Sequence, residues 1–472
     1  MKMNHFNTVK NMISNLILVV AIVFTYSCQR ETDSPDPNFH PVVSAMLSRP
    51  AASSVTINLL TDASCEVYWE YGTAPGSYSL VTDTYISVRD IPLIAELKNL
   101  NASTKYYYRL RYREKSGEGN YSTGPEHTFQ TSRGTGSTFK FAIEADPHLD
   151  NNSDTGAFAL TLKNIAAADP DFLLDLGDTF MSEKQTPPVT QSIVTSRHLL
   201  LRSYFSRICH SVPLYLVLGN HEGELGWRND GSLQGVPAMS TITRKLYFSN
   251  PVPDSFYSGN STSEPDLGLR QNYYAWQWGD ALFVVIDPFW YSMIKTGWGF
   301  TLGKTQYDWF KAVISGSSAK YKFVFAHNLV GGNGDDMRGG SEYAHLFEMG
   351  GYNLDGTYGF DTNRPGWGKS IHDIMKENNV KAFFHGHDHF YGKQVKDGII
   401  YQEVPQPSNR SLTNISAAAY GYTQGLLLPG RGYVLVTVSG TEVKVEYVGT
   451  LLPAEETSLK KNGYIIDSYT LR

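Results

Sequence analysis

The stretch Phe172-Leu173-Leu174-Asp175-Leu176-Gly177-Asp178 decides how the C-terminal two-thirds of this chain is read. Phe172–Leu176 is a nearly continuous apolar run, the pattern of a strand buried on both faces. It stops at a glycine followed by an aspartate. The same grammar recurs along the chain. Phe139, Phe141 and Ile143 predict a strand that leads into Asp146-Pro147-His148. Pro213–Leu218 leads into Gly219-Asn220-His221-Glu222, Tyr321–Ala326 into His327, and Val380–His385 into Gly386-His387-Asp388-His389. Ala281–Ile286 is a further strand. Helices are expected between them at Ala157–Ala168 (stopped by Pro170), Ser192–His210, Thr305–Ser315 and Lys369–Glu377. Alternation of this kind predicts an α/β layered domain. Gly432–Val438 and Glu442–Val448 add a strand pair across Ser439-Gly440-Thr441.

Polar groups therefore collect at the C-terminal ends of five strands, where α/β sheets gather their loops and their sites. A single Asp-x-His arises by chance, and a lone buried histidine is usually a satisfied core residue. Five such ends in order are hard to explain as packing. The glycines let the backbone bring the ligands close. Imidazole, carboxylate and carboxamide suit Mn, Fe or Zn rather than copper. Asp146, His148, Asp178, Asn220, His327, His387 and His389 are too many for one tetrahedral ion. With one carboxylate shared they make two sites, and two-metal hydrolases hold their ions roughly 3.5–4 Å apart.

The ordered set D-x-H, G-D, G-N-H-E, H and G-H-x-H resembles the calcineurin-like metallophosphoesterase family over about Thr138 to Tyr391. The resemblance implies a four-layer α-β-β-α sandwich with two metals between its sheets. It places Asp146, His148, Asp178 and His389 on the first metal, and Asp178, Asn220, His327 and His387 on the second, with Asp178 bridging. His221 becomes the unligated histidine beside the scissile bond, able to protonate the leaving alkoxide. Two divalent ions lower the pKa of a bridging water and so supply hydroxide near neutral pH. Two departures stand out. Purple acid phosphatases have a tyrosine three residues after the bridging aspartate and lack the histidine of the first motif; here those positions are Met181 and His148. No tyrosinate–iron charge transfer is expected. Protein phosphatases have an aspartate at the Met181 position, paired with the catalytic histidine. Glu222 is then the nearest candidate to orient His221, or else it shapes its own loop.

On the substrate side, the Gly-rich insertion Gly331–Trp367 holds Asp335-Asp336-Met337-Arg338 and Asp361-Thr362-Asn363-Arg364-Pro365-Gly366-Trp367. Arg338 or Arg364 could clamp a phosphate, and Trp367 or Tyr352 could stack a base or sugar. The other reading is an ordinary surface loop with a structural arginine. His198, His210, His345 and His372 are assigned to surface or packing, and His385 to the strand, next to the site.

Residues 40–132 read as all-β. Val55-Ile57-Leu59 and Val67-Trp69-Tyr71 alternate with polar partners, the period of a half-buried strand. Turn signals follow at Thr61-Asp62, Gly72-Thr73, Pro75-Gly76 and Ser116-Gly117. Leu97–Leu110, with Tyr106, Tyr107 and Tyr108, resembles the late strands of fibronectin type III domains, where one tyrosine makes a corner hydrogen bond. Such a sandwich often precedes purple acid phosphatases. The hinge 132–137 separates it from the domain 138–450, and 451–472 reads as a C-terminal tail.

The first 27 residues read as a signal peptide. Lys2 and Lys10 make a positive start, and the apolar run Leu16–Phe24 is about half the ~20 residues that span a bilayer. Thr25-Tyr26-Ser27-Cys28 resembles a bacterial lipoprotein processing site, with Cys28 lipidated and residues 28–39 a polar tether. Thr25 stands where leucine is usual, and the alternative is a plain signal peptide that contains a cysteine. Cys65 and Cys209 are expected to be buried free thiols, since neither has metal-ligand spacing.

The chain has 472 residues, 41% hydrophobic and 18% charged, with formal net charge −6. A core of that size needs no staple. A mildly acidic chain has no general attraction to nucleic acid, so none is expected as partner. The expected function is an exported, dinuclear phosphoester hydrolase acting on a small phosphate ester and anchored through Cys28. The alternative is an inactive binding or adhesion lipoprotein on the same fold. The N-terminal sandwich could also contact glycan, which a row of exposed aromatic rings would support.

Overall fold

In the strand Phe139–Glu144, consecutive side chains enter different cores. Phe141 and Ile143 face one, and Ala142 faces another. Phe172–Asp175 does the same, with Phe172 and Leu174 on one side and Leu173 on the other. Period-two alternation between two apolar environments is what a doubly covered sheet requires. The computed structural model describes residues 39–115, 119–334 and 336–471. The signal-peptide and Cys28 readings, the tether as far as residue 38, the turn at Ser116-Gly117, and Asp335 lie outside the described residues.

The first sheet has six strands in the order Leu214–Leu216, Phe172–Asp175, Phe139–Glu144, Gly432–Val438, Val443–Gly449 and Ile465–Leu471. The first three run parallel and the rest antiparallel. The second sheet has eight, centred on Ala281–Val285, Tyr321–Phe325, Ala382–His385 and Ile399–Glu403, which run parallel. Between the sheets lies an aromatic core. Phe141 and Phe172 meet Phe283 at 5.0 and 5.3 Å, and Phe283 stacks on Phe325 at 5.9 Å. Truncating one such ring to alanine costs about 3–5 kcal/mol in a packed core.

Helices cover both outer faces. Thr155–Ala167 and Gln191–Cys209 pack Phe158, Leu162, Leu201 and Phe205 on the first sheet. Gly303–Gly316 and Ile371–Glu377 pack Tyr307, Phe310, Ile374 and Met375 on the second. The result is the α-β-β-α sandwich expected. Asp154, Thr190 and Ser370 cap three of these helices by accepting backbone N–H bonds.

The segment 451–472 is not a tail. Ile465–Leu471 is the edge strand of the first sheet, paired with Val443–Gly449. Ile466, Tyr469 and Leu471 pack on the inter-sheet core while Asp467 and Ser468 do not join it. An edge strand with one buried face carries too weak an apolar signal to stand out.

The N-terminal β region is a small sandwich. Val42–Ser48, Val55–Thr61 and Leu93–Leu97 form one sheet, and Cys65–Gly72 with Lys105–Glu114 leads the other. Tyr106 Oη accepts from Asn101 N at 2.9 Å, a corner bond five residues back. Cys65 and Cys209 are buried free thiols. The guanidiniums of Arg109 and Arg113 lie over the rings of Tyr78 and Tyr121. Pro41–Arg472 packs as one compact unit. Arg202, on the helix Gln191–Cys209, is 1% exposed and ties the two parts together. It donates to Ser44 Oγ at 2.7 Å, to Asn58 O at 2.8 Å, and to Tyr247 O.

Candidate metal centre

Each strand end delivers its polar group to one place between the sheets. Asp146 N donates to Gly177 O at 2.9 Å, His148 N to Asp178 O at 3.3 Å, and Gly386 N to His327 O at 2.9 Å, so the loops are laced to one another. Two glycines make the approach possible. A Cβ on Gly219 would sit 2.4 Å from Asp178 Oδ1, and one on Gly386 would sit 2.6 Å from Asp146 Oδ2. Asp146, His148, Asp178, His387 and His389 all have positive φ, between 51° and 82°. Such strain in non-glycine residues collects where a site requires it.

The side chains form two groups, Asp146–His148–His389 and Asp178–His327–His387, each with its ligand atoms within 4.8 Å of one another. Asp146 Oδ1 lies 3.7 Å from His148 Nε2 and 3.5 Å from His389 Nε2. Asp178 Oδ2 lies 3.2 Å from His327 Nε2, and 3.7 Å from both His148 Nε2 and His221 Nε2. One carboxylate oxygen thus touches members of both groups. The outward atoms are already committed. Asp146 Oδ2 accepts from His387 N at 2.8 Å, and Asp178 Oδ1 from His221 N at 2.7 Å. His327 Nδ1 donates to Leu176 O at 2.9 Å and His387 Nε2 to Asp336 O at 2.6 Å. A carbonyl can only accept, so these bonds fix protons on His327 Nδ1 and His387 Nε2 and turn His327 Nε2 and His387 Nδ1 inward, within hydrogen-bond distance of each other at 3.1 Å.

Among the residues expected as ligands, three buried atoms have no hydrogen-bond partner: Asp146 Oδ1, His148 Nε2 and Asn220 Oδ1. An orphaned buried polar atom costs about 1–3 kcal/mol. Three on ligand-type side chains in one site fit bound cations. The electrostatics agree. Burial pushes the Asp146 and Asp178 carboxyls upward, yet His389 and His327 for the one, and His221 and His327 for the other, hold them below the usual range. Burial pulls His327 down, but Asp178 and Asp146 outweigh it and raise it to about 9. The pocket gathers positive charge, as protons or as metal.

The six Asp and His residues expected as ligands fall in these two groups, His221 Nε2 lies 3.7 Å from Asp178 Oδ2, and Asn220 lies against the His221 ring. Glu222 takes the loop-shaping role. Its carboxylate is 1% exposed and accepts from Thr179 N at 2.5 Å, Asp178 N at 3.1 Å and Gly219 N. It does not orient His221. The carboxylate on the His221 ring is that of Glu183, whose Oε1 accepts from Nδ1. Its position five residues after Asp178 was the only signal of it in the sequence. Arg197 was also missed. It donates to Phe180 O at 2.8 Å, to Leu149 O at 3.1 Å and to His148 O, bracing the first loop.

Arg338 stands at the rim. Its Nη1 donates to His387 O and Asp388 Oδ1, both at 2.9 Å, and its guanidinium covers the Tyr420 ring. Arg364 and Trp367 are committed elsewhere. Arg364 pairs with the buried Glu348 at 2.6 Å and donates to Trp298 O, and Trp367 packs on Tyr307 at 4.5 Å. A buried carboxylate claims its arginine, so the structural reading of Arg364 and Trp367 replaces the substrate one. Tyr352 meets Tyr358 at 5.3 Å. His198 stacks on Phe180 at 3.9 Å, and His372 bonds Tyr401 and Asp397, both as packing residues.

The model of the calcineurin-like phosphoesterase family matches residues 139–391, more than half of the chain. The chain belongs to that family. No curated protein matches it. Two solved structures share the fold over most of the chain. One is of PhoD, 15% identical, covering 93% of this chain and 91% of that one with TM-score 0.64. The other is purple acid phosphatase PPD1 from yellow lupin (Lupinus luteus) seeds, 16% identical, covering 91% and 74% with TM-score 0.60. This family member is a metal-dependent hydrolase of phosphoester bonds, and its two Asp/His groups fit divalent cations.

Proposed function

We propose that the chain is an exported phosphoester hydrolase with a dinuclear centre. Asp146, His148, Asp178 and His389 hold one ion, and Asp178, Asn220, His327 and His387 the other. The observation that carries this is Asp178 Oδ2, placed between His148 Nε2 of one group and His327 Nε2 of the other. When bound, two divalent ions supply a nucleophile at neutral pH and neutralise phosphoryl charge. The chain's own residues do the rest. The carboxylates and backbone bonds fix the imidazoles so that little reorganisation is needed during reaction. His221 Nε2 faces the same pocket and delivers a proton to the departing alkoxide. Arg338 is held through Nη1 by the buried Asp388 but stays 24% exposed, against 11% for Arg364, and it is the rim cation proposed for a phosphate oxygen.

We further propose export and a lipid anchor through Cys28, supported by the charged start, the apolar run Leu16–Phe24 and the polar residues that follow. The sandwich is read as fibronectin type III-like, supported by the Tyr106 corner bond. The substrate is a small phosphate ester, and the test is a panel of phosphomonoesters, phosphodiesters and nucleotides offered to protein loaded with Mn, Zn or Fe. Turnover that a chelator abolishes supports the reading. Metal-loaded protein that hydrolyses none of them contradicts it and favours a binding lipoprotein.

A further inference from the structure

We infer that Glu183 is the positioning residue of His221, with Arg228 as its anchor, so that one nitrogen of the ring is fixed toward the phosphoester. This rests on the reading of His221 as proton donor to the leaving group. The chain from Met181, which has φ of 54°, enters a short turn at Ser182–Lys184 and presents Glu183 to the ring. Glu183 Oε1 accepts from His221 Nδ1. Its second oxygen, Oε2, pairs with Arg228 Nη1 at 2.8 Å. Glu183 is 6% exposed and Arg228 is 51% exposed, so the array runs from solvent into the site. The other ring nitrogen, Nε2, lies 3.7 Å from Asp178 Oδ2, among the proposed ligands.

The physical logic is geometric. An ionised carboxylate can only accept, so it keeps Nδ1–H bound to itself and directs the opposite nitrogen, Nε2, with the proton it carries when the ring is charged, toward the leaving oxygen. A ring without that partner can turn about its last torsion and present either nitrogen or a carbon edge. Arg228 occupies the second oxygen, which keeps the carboxylate from swinging inward to compete for a cation. Glu183 touches neither proposed metal group, and its ion-pair partners are His221, Arg228 and Lys184. It therefore acts through His221 and not as a ligand.

The test uses the whole protein with E183Q, E183A, E183D and H221N. Loss of a positioned proton donor costs about a hundredfold or more. E183Q and E183A should lower kcat on an alkyl phosphate by about that factor, with KM changed by no more than about twofold. The loss should shrink on 2,4-dinitrophenyl phosphate, whose leaving group needs no proton, and E183D should recover part of it. E183A added to H221N should cost little more than H221N alone. In the metal-free protein, the imidazole Nδ1–H proton of His221 should be protected in the NMR spectrum and lost in E183A. Equal losses on all leaving groups, additive losses with H221N, or no change in the imidazole proton would overturn the inference. If the wild-type protein turns over no ester, the functional reading fails instead, and the NMR arm alone decides the contact. E183Q preserves shape and keeps the test open should E183A not fold.

Discussion

The two ligand groups share one pocket but not one degree of shelter. Asp178, His327 and His387 are buried, whereas the ring of His389, in the other group, is 32% exposed. In the sheltered group each imidazole is braced from behind, His327 by Leu176 O and His387 by Asp336 O. The open group is braced mainly through its backbone, by Arg197 on the His148 and Leu149 carbonyls and by Gln406 on Asp146 O at 2.9 Å. Outer partners set ligand orientation and basicity. The difference teaches that one group is buried and braced on its rings while the other leaves one ring, His389, partly open. On the proposed dinuclear reading, the open group is where a substrate oxygen and an exchanging ion would enter.

The largest effect should come from removing what the halves share. Asp178→Asn takes away the carboxylate charge that touches both, so metal content should fall at both sites. Several kcal/mol of transition-state stabilisation go with the ions, about a thousandfold or more in kcat. Loss at one half-site alone, by elemental analysis, would break the sharing. The next largest separates the halves. His387→Ala should weaken the tighter ion by about a hundredfold and His389→Ala the looser one by about tenfold. Competition against a chromogenic chelator reads both; the reverse order would contradict the contrast in shelter. The smallest concerns the bracing. Arg197→Met removes charge-assisted bonds worth about 1.5–3 kcal/mol together in stability. It should loosen only the open site, by a few fold, while the sheltered ion stays put. Equal weakening of both in a metal titration would show that the halves are not independently supported.

Much of this was legible in the chain itself. Phe172–Asp178 and its four counterparts are local patterns: an apolar strand, then a glycine or a sharp loop, then a ligand. Local grammar places ligands because strand ends converge in any α/β sheet. The partner of His221 was not legible, because Glu183 lies 38 residues away and meets it only through the fold. Arg364 and Trp367 misled for the opposite reason. Their loop looks functional by composition, but the buried Glu348 that claims Arg364 sits at a position with no polar neighbours to mark it. The strand Ile465–Leu471 was hidden because a polar residue, Asp467, stands on its inward face, where it accepts from Tyr391 Oη, and breaks the apolar alternation.

The central claim is a two-metal centre that hydrolyses phosphate esters. The direct measurement is a titration of metal-free protein with Mn or Zn, reading bound ion and ester turnover in the same samples. Two equivalents per chain, with turnover rising as the second binds, is the predicted result. Full turnover at one equivalent, or saturation with two and no hydrolysis of any phosphate ester, would contradict it.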